Sequence, residues 1–474
     1  MHHAAIGSDA LKRPDMSPMK RFVSIVKLMA AALPLSAGAG PTVGALPFPA
    51  STPSTTGVRS CNVQLSKVFG NGCFAAASAT LVNGASTSFS NARVGHRGSV
   101  TASCHDGAIV WSKELCLEST GPTATSASPS THPAPASPYT IGTYYFSGWK
   151  SKQLGNARPD PWGPIKLYLD REPLLGWYSE DSAGVISQQL RWMRAYGIDF
   201  VVYGWFWSSD NKPILSHGVD AYLSAQDKHG VKFALLWANH TKYTFSKSQF
   251  EALFTFWAKN YFTRNDYQKQ DGRPVVYLFS APTLSRNAAA IGMTTSDLIS
   301  LANGIAKRAG IARGISFVGG VTGNDAGADY GPTSGFDGFT AYNFHSPADI
   351  ALVPYRAGNF SHNYAELDVS YRNQWNWMLN RTSGRVVVPM TSGWDKRPWG
   401  GSSDSRHDDS RSTPAEFRRH LLAARDLMET QATRTERMGV VCCWNEFGEG
   451  SFIEPTKADG FKYLEQVREV FGPN

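Results

Sequence analysis

From residue 141 to the C-terminus, short apolar runs alternate with longer stretches in which apolar residues recur every three or four positions. The runs cover 141–149, 199–207, 232–239, 274–280, 315–321, 338–343, 386–394 and 439–446. They are rich in Val, Ile, Phe and Tyr and carry few charges, which predicts strands buried on both faces. Helical periodicity occupies 183–196, 217–229, 247–262, 295–309, 365–380 and 414–430, with 460–471 after the last run. Eight strand units of this kind predict an α/β fold, a (β/α)8 TIM-type barrel over residues 139–474. A doubly wound open sheet is the runner-up, but no Gly-rich phosphate loop follows the first strand.

The first 138 residues read differently. Lys20, Arg21 and Lys27 precede a short apolar stretch at 28–35, and Ala37-Gly38-Ala39 forms a small-x-small cleavage pattern. Residues 1–39 are therefore expected to be a signal peptide, since the apolar stretch is too short to span a bilayer. Residues 40–57 and 119–138 are Pro/Ser/Thr-rich linkers. Between them, 58–118 alternates in the manner of strands and holds Cys61, Cys73, Cys104 and Cys116. Four cysteines in so small an exported block read as two disulfides, with three pairings open. Cys442 and Cys443 are neighbours on a late strand and should point to opposite faces, so both are expected to be buried thiols. No cysteine or histidine pair has metal-ligand spacing, so neither a metal nor another cofactor is expected.

Charged residues make up 18% of the chain and aromatic ones 12%, with 14 Trp. The net charge of +8 comes from scattered Lys and Arg rather than a run, which argues against a nucleic-acid partner. The Trp excess matters because of where it falls. Barrel active sites form at the C-terminal ends of the strands. Those ends carry Trp149, then Trp205 and Trp207, then Trp237 and Asn239, then Tyr342 and Asn343, then Trp394, Asp395 and Arg397, and finally Trp444 and Asn445. Aromatic faces stack on pyranose rings while amide and acid groups bond hydroxyls, so these residues are expected to line one carbohydrate cleft.

Glu446 and Glu449 are the sharpest feature. Glycosidic cleavage needs two carboxyl groups, one to protonate the leaving oxygen and one to act opposite it. Gly448 and Gly450 permit a turn that returns the second Glu toward the first. Strand alternation would put Glu446 on the same side as Trp444. His407, Asp408 and Asp409 lie in a Ser/Arg-rich loop and are expected to be solvated, while Glu454 is expected to support its own loop. Asn239, Asn359 and Asn380 each begin a glycosylation sequon.

Residues 141–474 resemble glycoside hydrolase family 99 and its WbsX-type relatives. The matching stretches are Gly176-Trp177-Tyr178-Ser179, Gly335-Phe336-Asp337-Gly338-Phe339, Gly393-Trp394-Asp395, Arg397-Pro398-Trp399 and Trp444-Asn445-Glu446-Phe447-Gly448-Glu449-Gly450-Ser451-Phe452-Ile453-Glu454-Pro455. The resemblance implies a retaining, metal-independent, endo-acting enzyme of the α-mannosidase or mannanase kind. It casts Glu446 as the base for the sugar's own 2-hydroxyl and Glu449 as the acid/base at the leaving oxygen. Two positions depart from the pattern. Phe447-Gly448 stands where Trp-His is usual, and His240 stands where WbsX-type relatives carry Glu. The 58–118 block is similar to a sushi-type module, which implies the pairings Cys61–Cys104 and Cys73–Cys116. The expectation is thus a secreted or periplasmic monomer, without a membrane span, that cleaves an α-linked mannose- or rhamnose-type polysaccharide. The alternatives are a non-catalytic carbohydrate-binding barrel and a WbsX-type glycosyltransferase.

Overall fold

The computed structural model of the chain describes residues 60–69, 73–90, 96–111, 115–118, 137–150, 160–182, 184–239, 246–321, 329–343 and 360–472. The expected signal peptide, the first linker and most of the second lie outside these residues.

Eight parallel strands form a closed barrel. They are β1 (Thr140–Tyr145), β2 (Phe200–Trp207), β3 (Lys232–Trp237), β4 (Arg273–Leu278), β5 (Ser316–Gly320), β6 (Gly338–Thr340), β7 (Arg385–Val386 and Val388–Thr391) and β8 (Met438–Cys442). Each pairs with the next in chain order, and β8 returns to β1 through Met438↔Thr140 and Val441↔Thr143. The break in β7 falls at Val387, whose N–H still donates to Phe339 O at 2.9 Å. The first half of β7 pairs with β6 and the second with β8. The TIM-type fold read from the alternation of runs is the observed one.

Helices α1 (Val185–Ala195), α2 (His217–Ser224), α3 (Lys247–Trp257), α4 (Ala281–Ala290), α5 (Thr295–Arg308), α6 (Tyr364–Arg381), α7 (Pro414–Thr430) and α8 (Lys462–Phe471) surround it. Capping boxes start three of them, at Ser246 with Gln249, Thr294 with Asp297, and Thr413 with Glu416. Each satisfies two end donors that would otherwise be orphaned. Helix α4 was not anticipated. Its start signals, Ser280 as N-cap and Pro282 in the first turn, directly follow the apolar run of β4.

The two-residue period of the strands divides the core. Tyr144, Phe200, Val202, Ala234, Leu236, Val275, Tyr277, Val318, Val387, Val440 and Cys442 fill the barrel interior. The alternate positions, among them Tyr145, Val201, Tyr203, Trp205, Phe233, Leu235, Trp237, Val276 and Leu278, pack outward with the helices. Among the described residues no helix is long and apolar enough to cross a membrane.

The cysteine block forms a two-stranded sheet, Ser60–Phe69 with Cys73–Val82, and a second sheet of Ser86–Ser90, His96–His105, Ala108–Trp111 and Leu115–Glu118. A Cys61–Cys104 disulfide joins them over a small core of Val63, Leu81, Phe89, Val100 and Ala102. The side chains of Cys73 and Cys116 lie outside the described residues. Two expectations need correction. Cys442 and Cys443 are joined to each other by a disulfide across a cis peptide bond. Both side chains belong to the barrel interior rather than to opposite faces, because the strand ends at Cys442. The second linker also ends earlier than residue 138. Ser137 Oγ donates to Phe471 O at 2.5 Å, Tyr139 OH donates to Glu429 at 2.6 Å, and the Tyr139 ring sits 5.4 Å from that of Phe471.

Two truncations should separate linker from barrel. A chain of residues 137–474 is expected to fold with an unchanged urea midpoint for the barrel transition. Removing Ser137–Tyr139 as well should cost about 1–3 kcal/mol, the sum of two hydrogen bonds and an aromatic contact.

Candidate active site

The C-terminal end of β8 is where the chain departs from regular strand. After Cys442 it turns, then forms a short hairpin in which Asn445 pairs with Phe452 and Glu446 with Ser451. Trp444 N donates to Tyr144 O at 2.7 Å and Ile453 N to Cys443 O at 3.0 Å, so the hairpin is tied to the barrel at its base. The turn is closed by Glu449 N donating to Glu446 O at 3.1 Å. Both glycines of the turn are required. A Cβ on Gly448 would lie 2.0 Å from the Trp399 ring, and one on Gly450 would lie 2.7 Å from Asp395 N at a positive φ of 69°. Gly448 thus makes room for Trp399.

Both carboxyl groups end on the inner side of the barrel mouth. Glu446 is only 4% exposed. The Tyr342 hydroxyl donates to its Oε1 at 2.5 Å, and its Oε2 is buried with no partner. Glu449 is half-buried, and Asn343 Nδ2 donates to its Oε2 at 3.4 Å. Burial pushes Glu446 well above the usual carboxylate range, the nearby Glu449 charge adds to that, and the Tyr342 hydrogen bond opposes it. Burial also raises Glu449, against the Asn343 hydrogen bond and the positive charge of Lys396. Burial and mutual repulsion therefore oppose ionisation of both carboxyl groups at once.

A buried clamp holds the loop from behind. Arg171, only 1% exposed, reaches across from the β1–α1 loop. Its Nη1 donates to Phe447 O at 2.8 Å and Asp395 O at 3.0 Å, and its Nη2 pairs with the Asp395 carboxylate. Arg397 forks the same carboxylate from outside, Nε at 2.8 Å and Nη2 at 2.7 Å. These two cations hold the Asp395 carboxyl below its usual range against the effect of its burial. Asp395 N in turn donates to Glu449 O at 2.7 Å.

Other residues expected in the cleft lie elsewhere. Trp205, Trp207 and Trp237 pack outward on Phe256, Trp257, Phe250 and Phe254 of α3. Trp444 is fully buried in the same outer layer, so it is not on the side of Glu446. Trp149 is buried against Trp162, Phe447 and Phe452, and its Nε1 donates to Asn445 O at 3.0 Å. Trp394 is 5% exposed, stacks on His407 and donates to Ser402. Asn239 spends both ends of its amide on the Ser280 backbone, at 2.7 and 2.9 Å. Asn445 does the same with Phe146, at 2.8 and 3.1 Å. Asp395 serves the clamp. The expected cleft therefore reduces to Tyr342, Asn343, Glu446 and Glu449.

The cause of these corrections is parity. Tyr144, Val202 and Tyr277 point inward, so Phe146, Phe206 and Phe279 two or four positions on share that direction. All three are half-buried, as are Tyr342 and Trp399. The Phe279 ring lies 5.4 Å from Tyr342, and Phe146 lies 5.6 Å from Trp399. These are the aromatic residues at the mouth, and counting in twos along each run would have selected the first three. Arg171 had no such signal, since nothing local marks one arginine in a loop.

His407 and Asp408 are buried rather than solvated. Asp408 accepts from Lys396 N at 2.9 Å and Ser402 N at 2.8 Å, and desolvation pushes His407 down to about 4. Glu454 supports its loop by accepting from Gln189 Nε2 at 3.0 Å and Tyr178 OH at 2.7 Å. Burial lifts its pKa to about 8. A further buried acid, Glu180, pairs with His217 and accepts from Trp149 N at 3.0 Å. Neither Glu180 nor Arg171 was picked out in the sequence.

The architecture is that of a TIM-barrel protein with two glutamates, one buried and one half-buried, just beyond the end of its eighth strand. The chain belongs to the family described as "Glycosyltransferase WbsX", whose family model matches residues 168–467. No curated protein matches it. Among solved structures it is similar to a "Glycoside hydrolase-like protein", at 13% identity and a TM-score of 0.49, covering 72% of this chain and 97% of that one. It is also similar to the family 99 endo-α-mannosidase of Bacteroides thetaiotaomicron, at 14% identity and a TM-score of 0.48, covering 69% and 95%. A family 113 β-1,4-mannanase follows at 11% identity and a TM-score of 0.35, covering 70% and 98%.

Two substitutions should distinguish the mouth from its supports. Asn239→Ala is expected to lower stability by about 2 kcal/mol, because it strands two buried backbone groups, while leaving sugar affinity unchanged in titration calorimetry. Tyr342→Phe should do the reverse. Loss of the phenol donor raises the Glu446 pKa, so the acid limb of kcat/KM should move to higher pH. Below that limb the rate should fall by about tenfold, the scale of one hydrogen bond to a charged group.

Proposed function

We propose that this chain is an exported, retaining, endo-acting glycoside hydrolase that cleaves α-linked sugars whose 2-hydroxyl is axial, mannose or rhamnose among them. The observation that carries the reading is the pair of buried Glu446 and half-buried Glu449 at the barrel mouth, with Tyr342 bonded to one and Asn343 to the other. The Cys61–Cys104 bridge supports export, since such bonds persist in oxidising compartments.

In this mechanism Glu446 is the base. A sugar 2-hydroxyl that donates to its unpartnered Oε2 would stabilise the carboxylate and shift the pair's proton to Glu449. Glu449 then protonates the leaving oxygen as the C1–O bond breaks. The 2-oxygen, losing its proton to Glu446, closes on C1 from the opposite face. Water, activated by Glu449, opens the resulting 1,2-anhydro sugar, and Glu446 returns the proton to O2. Two displacements give net retention. An α-mannoside suits this path because its O1 and O2 are both axial and anti. An α-glucoside carries O2 on the same face as O1, so no ring conformation brings the two anti and this path is closed to it.

The family's own description favours one other reading, sugar transfer from an activated donor. Hydrolysis fits an exported chain better, because nucleotide-sugars are made and used inside the cell.

The test uses α-manno- and α-rhamno-configured polysaccharides with product sizing by mass spectrometry. Glu446→Gln and Glu449→Gln should each lower kcat by about a thousandfold or more while Kd changes little, in keeping with groups acting mainly in the transition state. Proton NMR of the first-formed product should show the α-anomer. Inversion, undiminished turnover in either variant, or turnover only with a nucleotide-sugar would remove the assignment.

A further inference from the structure

We propose that Arg171 is a positioning residue for the glutamate pair, a buried staple that fixes the orientation of Glu449 relative to Glu446. The inference rests on the reading of those two residues as the working carboxylates.

Phe447 is the first of the two residues between the glutamates, and its carbonyl accepts from Arg171 Nη1 at 2.8 Å. The same nitrogen donates to Asp395 O at 3.0 Å. Asp395 N holds Glu449 O at 2.7 Å. One guanidinium thus ties the β7 loop and the β8 turn together, and it belongs to neither. Its own anchor is the β1–α1 loop, where the Tyr168 ring lies 4.9 Å from the guanidinium carbon.

The Asp395 carboxylate does not need Arg171 for its neutralisation, because Arg397 already forks it through two nitrogens. What Arg171 alone supplies is the bridge between two backbone carbonyls. A buried cation is costly, and apolar side chains of like volume often stabilise a core better. A guanidinium at 1% exposure that bridges two loops therefore points to geometry rather than stability. Lysine reproduces it poorly, since one ammonium on a shorter stem would have to serve the two carbonyls and the Asp395 carboxylate that the guanidinium meets through two separate nitrogens.

Arg397 also makes the test practicable. With it in place, Arg171→Ala leaves no uncompensated carboxylate behind. The experiment compares full-length Arg171→Ala and Arg171→Lys with the parent on the α-manno- or α-rhamno-configured polysaccharide that the parent cleaves. Both should lose about a hundredfold in kcat, the penalty of a misplaced reacting group. KM should stay within about threefold. Added guanidinium should restore the Ala variant saturably, while methylammonium should not. Glu446→Gln and Glu449→Gln run in parallel. If they abolish turnover while both Arg171 variants keep parental kcat, the staple role falls and the glutamate assignment stands. If the glutamate variants turn over normally, the assignment falls first. Should Arg171→Ala not fold, the Lys variant decides alone, and kcat within threefold of the parent overturns the proposal. Loss of kcat with no guanidinium rescue in a folded Ala variant overturns it as well.

Discussion

Holding two carboxyl groups out of water on one four-residue turn is the constraint on which the rest of this site depends. Each would be ionised at neutral pH in water, and each is opposed by burial here. Sharing one proton removes part of the cost, and donors or cations aimed at the remaining charge offset more. Tyr342 and Asn343 from the loop after β6, and Lys396 from the loop after β7, supply these. None of the three belongs to the turn that carries the glutamates. The site therefore requires a scaffold that brings separate strand ends within a few ångströms, and a closed parallel barrel does so by construction.

The scaffold uses its strand alternation for two different jobs. Inward positions fill the barrel and, at the C-terminal ends, face the mouth. Outward positions meet the helices. The Trp residues of β2 and β3 are outward and stabilise the sheet–helix layer, where large apolar area counts most. Smaller rings, Phe206 and Phe279, take the inward parity. Two strand-end amides, Asn239 and Asn445, act as clasps between neighbouring strand ends, each satisfying one backbone N–H and one C=O. Buried backbone groups left open there would be costly.

This division explains what could be read from the chain beforehand. The eight runs were legible because buried parallel strands are apolar on both faces, and seven of the eight helices were legible from their period. Helix α4 was obscured because only two residues separate it from β4 and it is only ten residues long, although Ser280 and Pro282 mark its start. Glu446 and Glu449 were legible because two acids beside a buried run are conspicuous. The lining was not, because aromatic content says nothing about side; only the count in twos does. Even that count fails for Trp444 and Glu446, since the regular strand stops at Cys442 and parity carries no further. Arg171 was out of reach on principle: its importance lies in contacts with residues more than 200 positions away.

The end of regular strand at Cys442 is itself informative. Had β8 run on to Glu446, the period would have put Trp444, Glu446 and Cys442 on one face. A bulky indole would then have stood in the barrel beneath the acid. Instead, Cys442 and Cys443 both occupy the interior, Trp444 joins the outer layer, and the hairpin restarts with Asn445 clasping Phe146. The irregular step gives the mouth its acid and the outer core its indole from adjacent residues. Its remaining freedom is removed from outside the strand, by Trp149 on the Asn445 carbonyl and Arg171 on the Phe447 carbonyl. Glu446 thus lies between two backbone groups held by buried donors. The backbone on both sides of the acid is fixed in this way, and Tyr342 holds one oxygen of its carboxyl while the other meets no partner.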